Sequence, residues 1–242
     1  MPHFFAIVVS ALLWFSAITA FVVGGGMYFG IALLFGPHRT LPLGRWACRL
    51  LLLCAGQRLR VRGSFPPRGD RPRVYMFNHT SLLDTFIAVA VIPEYTAAIG
   101  KKEQFRVPLW GWILRRWGAV PIDRHQLADA IESLRKVETQ MNDGLALLIA
   151  PEGTRSPNGK LGAFKKGPFH VVVRTGAAIS PIIINGAYAA KRKGSWILRP
   201  GTIDVWLAPI IEPAGDGSTD VEAVRDQTRA CFARLIEMPN PS

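Results

Sequence analysis

The first 38 residues form one apolar block, and polar positions begin to alternate with apolar ones only after it. The stretch Phe4–Val23 carries no charge and is long enough for a membrane helix, since a bilayer core needs about 20 helical residues. A glycine triplet at 24–26 separates it from a shorter apolar stretch, Met27–Phe35. This pattern predicts either a single tilted membrane helix or a helical hairpin bent at the glycines. A signal peptide fits less well, because the stretch has no basic start and exceeds the usual length.

A second, amphipathic helix is predicted from Leu43 to Leu53. Arg45 and Arg49 lie four residues apart on one side of it. Its apolar side is formed by Trp46, Leu50 and Leu53. We expect this helix to lie at the membrane surface with its arginines towards lipid phosphates. A plain core helix is the alternative.

From residue 59 onwards, short apolar stretches alternate with helical ones. Strands are predicted at 59–63, 74–77, 119–122, 145–149, 182–184 and 203–207. Helices are predicted at 81–91, 109–117, 127–141, 168–174 and 219–236. Such alternation with Val/Ile/Leu-rich strands is typical of an α/β fold, here a mixed, mostly parallel sheet covered by helices. The predicted parts are a membrane-embedded segment (1–38), a basic interfacial helix (39–58) and a cytoplasmic α/β domain (59–242).

The positive charge of the chain is concentrated beside the apolar block. The net charge is +12, and residues 39–73 hold nine arginines against a single acid, whereas residues 74–242 are nearly balanced. A nucleic-acid surface more often spreads through the folded domain, so this block indicates a membrane surface and no nucleic-acid partner. It also predicts that the domain lies on the cytoplasmic face of the inner membrane. With 49% hydrophobic residues and three cysteines, neither a disordered chain nor a disulfide scaffold fits.

One histidine lies at a predicted strand-to-helix junction, in the segment Asn78–Asp84. His79 and Asp84 would lie ~140° apart within one regular helix, so they meet only if His79 precedes the helix. Thr80 or Ser81 is then the expected N-cap. In that arrangement Asp84 orients the imidazole, and His79 accepts a proton from a hydroxyl. The alternative is that Asp84 only accepts backbone N–H bonds at the start of the helix.

A second polar segment, Pro151–Gly159, follows the predicted strand at 145–149. Gly153 permits close backbone approach, Thr154 offers a hydroxyl, and Arg155 offers a planar fork suited to phosphate. A simple turn is the alternative, because Pro, Gly, Asn and Ser are turn residues. Further phosphate candidates are the pairs Lys101-Lys102 and Lys165-Lys166.

Taken together, these segments resemble the glycerolipid acyltransferase family, of the 1-acylglycerol-3-phosphate acyltransferase type. Asn78–Asp84 is similar to the family's NHx4D motif, and Gly118–Arg124 is similar to its second motif. Pro151–Ser156 is similar to its PEGTRS motif, and Ser180–Ile184 to its proline-containing strand. The four motifs occur in the family's order.

The resemblance implies acyl transfer from acyl-CoA or acyl carrier protein to the free hydroxyl of 1-acylglycerol-3-phosphate, which gives phosphatidic acid. His79 is then the general base and Asp84 its orienting partner, without an acyl-enzyme. The residues expected at the phosphate of the acceptor are Arg155, Lys101, Gly153, Thr154, Glu152 and Arg124. The expected partners are the lipid bilayer, a lysophospholipid acceptor and the acyl donor. No metal and no further cofactor are implied.

Several alternatives stay open at this point. The acceptor can be another lipid, such as lyso-ornithine lipid, dihydroxyacetone phosphate or a different lysophospholipid. The acyl length, the donor carrier and the topology of the membrane segment are equally open. A non-catalytic membrane lipid-binding protein is the alternative of another class, and it requires His79 and Asp84 to be purely structural.

Overall fold

The computed structural model describes most of the chain and confirms the alternation of strands and helices. The described residues are 2–67, 69–108, 110–122, 127–213 and 220–237. The strands are β1 (Gln57–Arg62), β2 (Arg73–Phe77), β3 (Thr96–Lys101), β4 (Val120–Ile122), β5 (Ala146–Ile149), β6 (Ala178–Asn185) and β7 (Gly201–Leu207). The helices are α1 (Pro2–Phe35), α2 (Leu41–Cys54), α3 (Asp84–Val91), α4 (Trp110–Arg116), α5 (Leu127–Asn142), α6 (Gly167–Thr175), α7 (Ala187–Ala190) and α8 (Val221–Glu237).

The strands form one sheet in the order β1-β7-β6-β2-β5-β3-β4. From β6 to β4 all neighbouring strands are parallel, whereas β7 runs antiparallel to β6 and parallel to β1. The predicted fold class, a mixed and mostly parallel sheet covered by helices, is therefore confirmed. Because β1 runs opposite to β2, the start of β1 lies at the same edge of the sheet as the end of β2.

Alternation along the buried strands divides the core into two layers. In β2, Tyr75 and Phe77 belong to the layer that also holds α2 and α3 side chains. Val74 and Met76 belong to the opposite layer, with side chains of α5, α6 and α8. Successive side chains of a strand point to opposite faces, so a strand buried on both faces has to be apolar throughout. This accounts for the near-continuous apolar strands.

Helix α1 continues through the glycine triplet, so of the two predicted geometries the hairpin bent at residues 24–26 is wrong. The chain reverses instead at the turn after Phe35, where Gly36 has a φ of +81°, and α2 packs back along α1. A left-handed residue of this kind favours glycine because it has no Cβ. The helical hairpin is therefore formed by α1 and α2, not within the apolar block.

Two of the three residues on the predicted apolar side of α2 are exposed. Leu51 and Leu52 are buried in the layer shared with α3, whereas Trp46 and Leu53 are 52% and 61% exposed. Arg49 is also exposed, and Arg45 is half-buried. The outer surface of α2 therefore combines an exposed indole, a leucine and an arginine, while Leu51 and Leu52 join the helix to the core.

Three elements were missed by the sequence pattern, one of them the short 3-10 helix Lys102–Arg106 that follows β3. Strand β3 has the composition TAAIGK and few typical strand residues, yet it pairs with both β5 and β4. Its conformation is imposed by these neighbours, because strand preference depends strongly on context. The short helix α7 follows β6 directly and was also not predicted.

Candidate active site

The segment after β2 is fixed to the neighbouring strand before it reaches His79. The amide group of Asn78 donates to the carbonyl of Ile184 at 2.9 Å, and its side-chain oxygen accepts from the Ile184 N–H at 2.7 Å. Asn78 is buried, so these bonds are shielded from water. His79 therefore emerges at the carboxyl end of β2, the edge at which parallel sheets bind ligands.

His79 and Asp84 form the pair that the sequence predicted. The Nδ1 atom of His79 lies 3.0 Å from Oδ2 of Asp84, whose carboxylate is fully buried, while the His79 side chain is 22% exposed. Burial raises the pKa of Asp84, and the hydrogen bonds from His79 and the backbone oppose this rise. With Nδ1 held by the carboxylate, Nε2 is the ring nitrogen left to act on a substrate.

The predicted N-cap is wrong, and the difference explains how the pair meets. Helix α3 begins only at Asp84, and its N-cap residue, Leu83, makes no side-chain capping bond. The Oδ2 atom of Asp84 instead accepts the N–H groups of Thr80 and Ser81 at 2.6 and 2.7 Å. One carboxylate oxygen thus accepts the backbone N–H groups and also faces the imidazole. The sequence analysis treated orienting His79 and accepting backbone N–H bonds as alternatives for Asp84, and the structure shows both contacts together.

Glu152 joins the histidine segment to the loop after β5. Its Oε1 accepts the N–H of His79 and its Oε2 accepts the N–H of Gly162, both at 2.8 Å. In the other direction, the N–H of Ser156 donates to the His79 carbonyl at 2.8 Å. Burial raises the pKa of Glu152, and these backbone hydrogen bonds oppose the rise. Its contacts show Glu152 organising the backbone on both sides of the site.

The loop after β5 carries residues that the sequence predicted at the phosphate of the acceptor. Gly153 has a φ of +72°, Thr154 is exposed and Arg155 is half-buried. Within the described part of the chain, the Arg155 guanidinium forms no ion pair or hydrogen bond, whereas the backbone carbonyl of Arg155 accepts from Lys193. The fork of Arg155 is thus available for an anion.

The other predicted cations differ in their positions. Lys165 lies beside Gly153. Its Cγ atom is 3.5 Å from the place that a Cβ atom would occupy at position 153. Lys166 forms an ion pair with Glu222 at the start of α8, so it is directed away from the loop. Lys101 ends β3, with only its backbone described, and Arg124 lies outside the described residues.

A loop that the sequence did not single out contacts both polar segments. The hydroxyl of Ser81 donates to the carbonyl of Lys191 at 3.0 Å, and Nζ of Lys193 donates to the carbonyl of Arg155 at 3.0 Å. The only sequence signal for this loop is its Lys-Arg-Lys run, which is typical of a solvated turn.

Two further features define what surrounds the site. Among the described residues there is no group of three or more His, Cys, Asp or Glu side chains arranged to hold a metal ion. An apolar cavity of about 250 Å³ lies between α1, α2 and α3, and its lining includes Phe86 and Tyr28. Neither His79 nor the loop after β5 lines this cavity, so it is separate from the polar site.

The sequence of this chain is similar to those of known proteins. The family model described as Acyltransferase matches residues 58–185. A 1-acyl-sn-glycerol-3-phosphate acyltransferase of Pseudomonas aeruginosa is 32% identical over 200 residues, which cover 81% of this chain and 76% of that protein. A protein of the same name from Cocos nucifera is 37% identical over 164 residues, or 67% of this chain and 53% of that protein.

A solved structure shows the same fold over almost the whole chain. It is the 1-acyl-sn-glycerophosphate acyltransferase PlsC of Thermotoga maritima, with a TM-score of 0.82, 24% identity and 98% coverage of both chains. The matched plant relatives are longer, and this chain spans only 39–57% of their length. Since the family model covers more than half of the sequence, and the Pseudomonas relative most of it, this chain belongs to the acyltransferase family.

Proposed function

We propose that the protein transfers an acyl group to the free hydroxyl of 1-acylglycerol-3-phosphate and so forms phosphatidic acid. The names of the relatives support this reaction. The observation that carries it is the contact of 3.0 Å between His79 Nδ1 and the buried carboxylate of Asp84. The donor is proposed to be acyl-CoA or acyl carrier protein, and no metal or other cofactor takes part.

In the proposed mechanism His79 acts as a general base. Its Nε2 takes the proton of the acceptor hydroxyl while the hydroxyl oxygen forms a bond to the thioester carbon. Asp84 holds the ring through Nδ1 and stabilises the imidazolium that results. The tetrahedral intermediate then releases the thiolate, which takes the proton from His79. The acceptor oxygen keeps the acyl group, so no covalent acyl-enzyme is needed.

Two serine hydroxyls in the segments that form the site support direct transfer. Ser81 is fully buried and donates to the Lys191 carbonyl, and Ser156 is buried and donates to Asn158 at 3.0 Å. A serine nucleophile would have to be exposed beside its base. Both hydroxyls instead have structural partners.

The phosphate of the acceptor is proposed to bind at the loop after β5. The fork of Arg155 can hold two phosphate oxygens, and the exposed Thr154 beside it offers a hydroxyl. Gly153 has no side chain that would obstruct the approach of the phosphate. Lys101 and Arg124 are further proposed ligands. Glu152 acts indirectly, because it fixes the backbone at His79 and thereby the distance between the base and the phosphate site.

Arg155→Lys tests this site. Because lysine cannot reproduce the bidentate fork, the KM for the acceptor is expected to rise far more than the KM for the donor. Steady-state kinetics with each substrate varied in turn measures both values. The matched control is Arg174→Lys on α6, which pairs with Glu138 and should leave both KM values unchanged. Equal changes in both KM values would indicate that the loop is a structural turn and does not bind the phosphate.

The acceptor itself is tested with purified protein and a panel of lysolipids. Lysophosphatidic acid, dihydroxyacetone phosphate, lyso-ornithine lipid and other lysophospholipids are each offered with acyl-CoA or acyl carrier protein. Product formation measured by mass spectrometry should be highest with lysophosphatidic acid. A preference for lyso-ornithine lipid, which has no phosphate, would contradict the proposed role of Arg155.

We further propose that α1 anchors the protein in the cytoplasmic leaflet of the inner membrane. The most apolar 18-residue window within Phe4–Phe35 has a mean hydropathy of 2.4, and only 11% of it is buried, unlike the core helix of a soluble protein. Phe15 and Leu34 are 74% and 81% exposed. Such an apolar surface is unfavourable in water, and lipid is the solvent that fits it.

The contacts of α1 favour embedding in one leaflet over a full span. Trp14 contacts Trp196, Phe21 contacts Phe86, and Phe29 stacks on Trp117 at 5.0 Å. The α/β domain therefore contacts the helix from residue 14 to residue 29. A spanning helix needs about 20 residues in the hydrocarbon core, and α1 has no such stretch away from the domain.

Charged substitutions on the exposed side of α1 test the anchor. The wild type is expected to stay in the membrane pellet in high salt and alkaline carbonate. Phe15→Glu with Ile18→Glu should release it, because each buried carboxylate costs about 3 kcal/mol in a bilayer. Both positions are exposed, so the fold should be unaffected. Thr139→Glu on α5 is the control, and release of the wild type by salt alone would exclude an embedded α1.

A further inference from the structure

The loop at residues 191–198, between α7 and β7, lies against the apolar helix α1. The indole N–H of Trp14 donates to the carbonyl of Trp196 at 2.7 Å, and the two rings lie 6.1 Å apart. The N–H of Leu198 donates to the hydroxyl of Ser10 at 2.9 Å. Two side chains of α1 therefore hold the backbone of the 191–198 loop.

The other end of the same loop holds the two polar segments of the active site. The Lys191 carbonyl accepts the hydroxyl of Ser81, and both residues are buried. Nζ of Lys193 donates to the carbonyl of Arg155. The loop thus contacts α1, the segment that carries His79 and the segment that carries Arg155.

The side chain of Lys191 determines the shape of the loop. Lys191 is only 6% exposed, and its ammonium group donates to the carbonyls of Arg192 and Ser195. The same group lies 6.0 Å from the ring of Trp14 and 5.8 Å from the ring of Trp196. Carbonyl oxygens and aromatic faces are favourable partners for a cation that is withdrawn from water. Lys191 thereby stabilises the conformation of the loop and its contact with α1.

A continuous series of contacts leads from α1 to the base. Ser81 donates its hydroxyl to the loop and its backbone N–H to Oδ2 of Asp84, the atom that faces His79. A shift of the loop therefore moves Ser81, and with it the carboxylate that orients the imidazole. A displacement of about 1 Å in a catalytic group is enough to lower turnover strongly.

We propose that the 191–198 loop couples the position of α1 against the domain to the geometry of the active site, with Trp14 and Lys191 as positioning residues. The inference rests on the proposed acyl transfer, because it assigns these residues a role in the turnover of that site. It adds a function for α1 besides membrane attachment.

Trp14→Phe and Lys191→Met test the coupling in the full-length protein. The first keeps an aromatic ring and removes the N–H, and the second keeps the aliphatic stem and removes the charge. Each should lower kcat about 2- to 10-fold, the effect of one lost hydrogen bond in the series. The KM for the acceptor and the binding to vesicles of phosphatidylglycerol and phosphatidylethanolamine should stay unchanged. Lys191→Arg should restore most of kcat.

Two comparisons separate positioning from a merely structural or membrane role. Trp46→Phe changes an exposed indole on α2 and should leave kcat unchanged. Combining Trp14→Phe with Ser81→Ala should lower kcat no further than the more severe single change, because both act through one series of contacts. Multiplicative effects in the double variant, or wild-type kcat in Trp14→Phe, would overturn the proposal.

Hydrogen–deuterium exchange tests the coupling without any substrate. Trp14→Phe and Lys191→Met should raise deuterium uptake in peptides covering residues 79–84 and 153–156, and leave α5 and α6 unchanged. Uptake that rises throughout the domain, or only in α1, would contradict the proposal. If the wild type transfers no acyl group to any acceptor, the proposed function fails, whereas the exchange pattern still decides the coupling.

Discussion

Replacing His79 with alanine is expected to lower turnover by about 10²–10⁴-fold, which is the usual contribution of a general base. The reason is geometric, because His79 is the group whose ring is held by Asp84 and partly open to a substrate. Binding to vesicles and the thermal unfolding midpoint should stay close to wild type. Initial rates with lysophosphatidic acid and acyl-CoA, corrected for protein amount, provide the measurement.

The matched control for this substitution is His170→Ala. His170 is an exposed residue of α6, in the helical layer opposite to α3, and its loss should leave turnover unchanged. Wild-type turnover in His79→Ala would rule out the general-base mechanism. The non-catalytic lipid-binding alternative that the sequence left open would be favoured instead if the wild type itself showed no turnover with any acceptor.

Asp84→Asn is expected to lower turnover by a similar factor, about 10²–10⁴-fold, while the protein stays folded. The oxygen of asparagine can still accept the N–H groups of Thr80 and Ser81, which Oδ2 accepts in the wild type. The negative charge that stabilises the imidazolium is lost. The substitution therefore separates the two roles of this residue, and comparison of kcat with the unfolding midpoint reports on both.

Asp84→Ala provides the second half of this test. It leaves the two buried N–H groups without an acceptor, which costs about 1–3 kcal/mol for each group in the free energy of unfolding. A lowered unfolding midpoint is expected here and not in Asp84→Asn. Asp143→Asn, at an exposed position after α5, is the control. Full activity in Asp84→Asn would mean that the carboxylate serves only the backbone.

Local sequence patterns predicted most of the fold. The apolar strands around Val74–Phe77 and Ile182–Ile184 are recognisable because they are buried on both faces and carry no polar position. Helix α5 is recognisable from its apolar residues at helical spacing. Strand β3 could not be predicted, since its own residues prefer no strand and its pairing partners supply the preference.

The candidate site was predictable as two separate segments. Each segment follows an apolar strand and contains side chains with evident chemistry, and the order of the motifs along the chain supports the resemblance. The roles of individual atoms were not predictable. Glu152 bonds to the backbone of His79, which lies 73 residues earlier in the chain. Asp84 serves both the backbone and the imidazole of His79, which is five residues away. Both contacts depend on distances that only the folded chain defines.

The sequence by itself determined the class of fold, the apolar helix and the two segments that carry the proposed chemistry. These follow from local causes, namely the periodicity of apolar side chains and the residue types at strand ends. The tertiary structure decided that β2 and β5 are adjacent, that α1 reverses at Gly36 and packs along the domain, and that Lys191 bonds to Ser81. Most of these contacts join residues far apart in the chain. They are stable because the contacting elements bury each other's surfaces, and a local sequence pattern does not show which elements will do so.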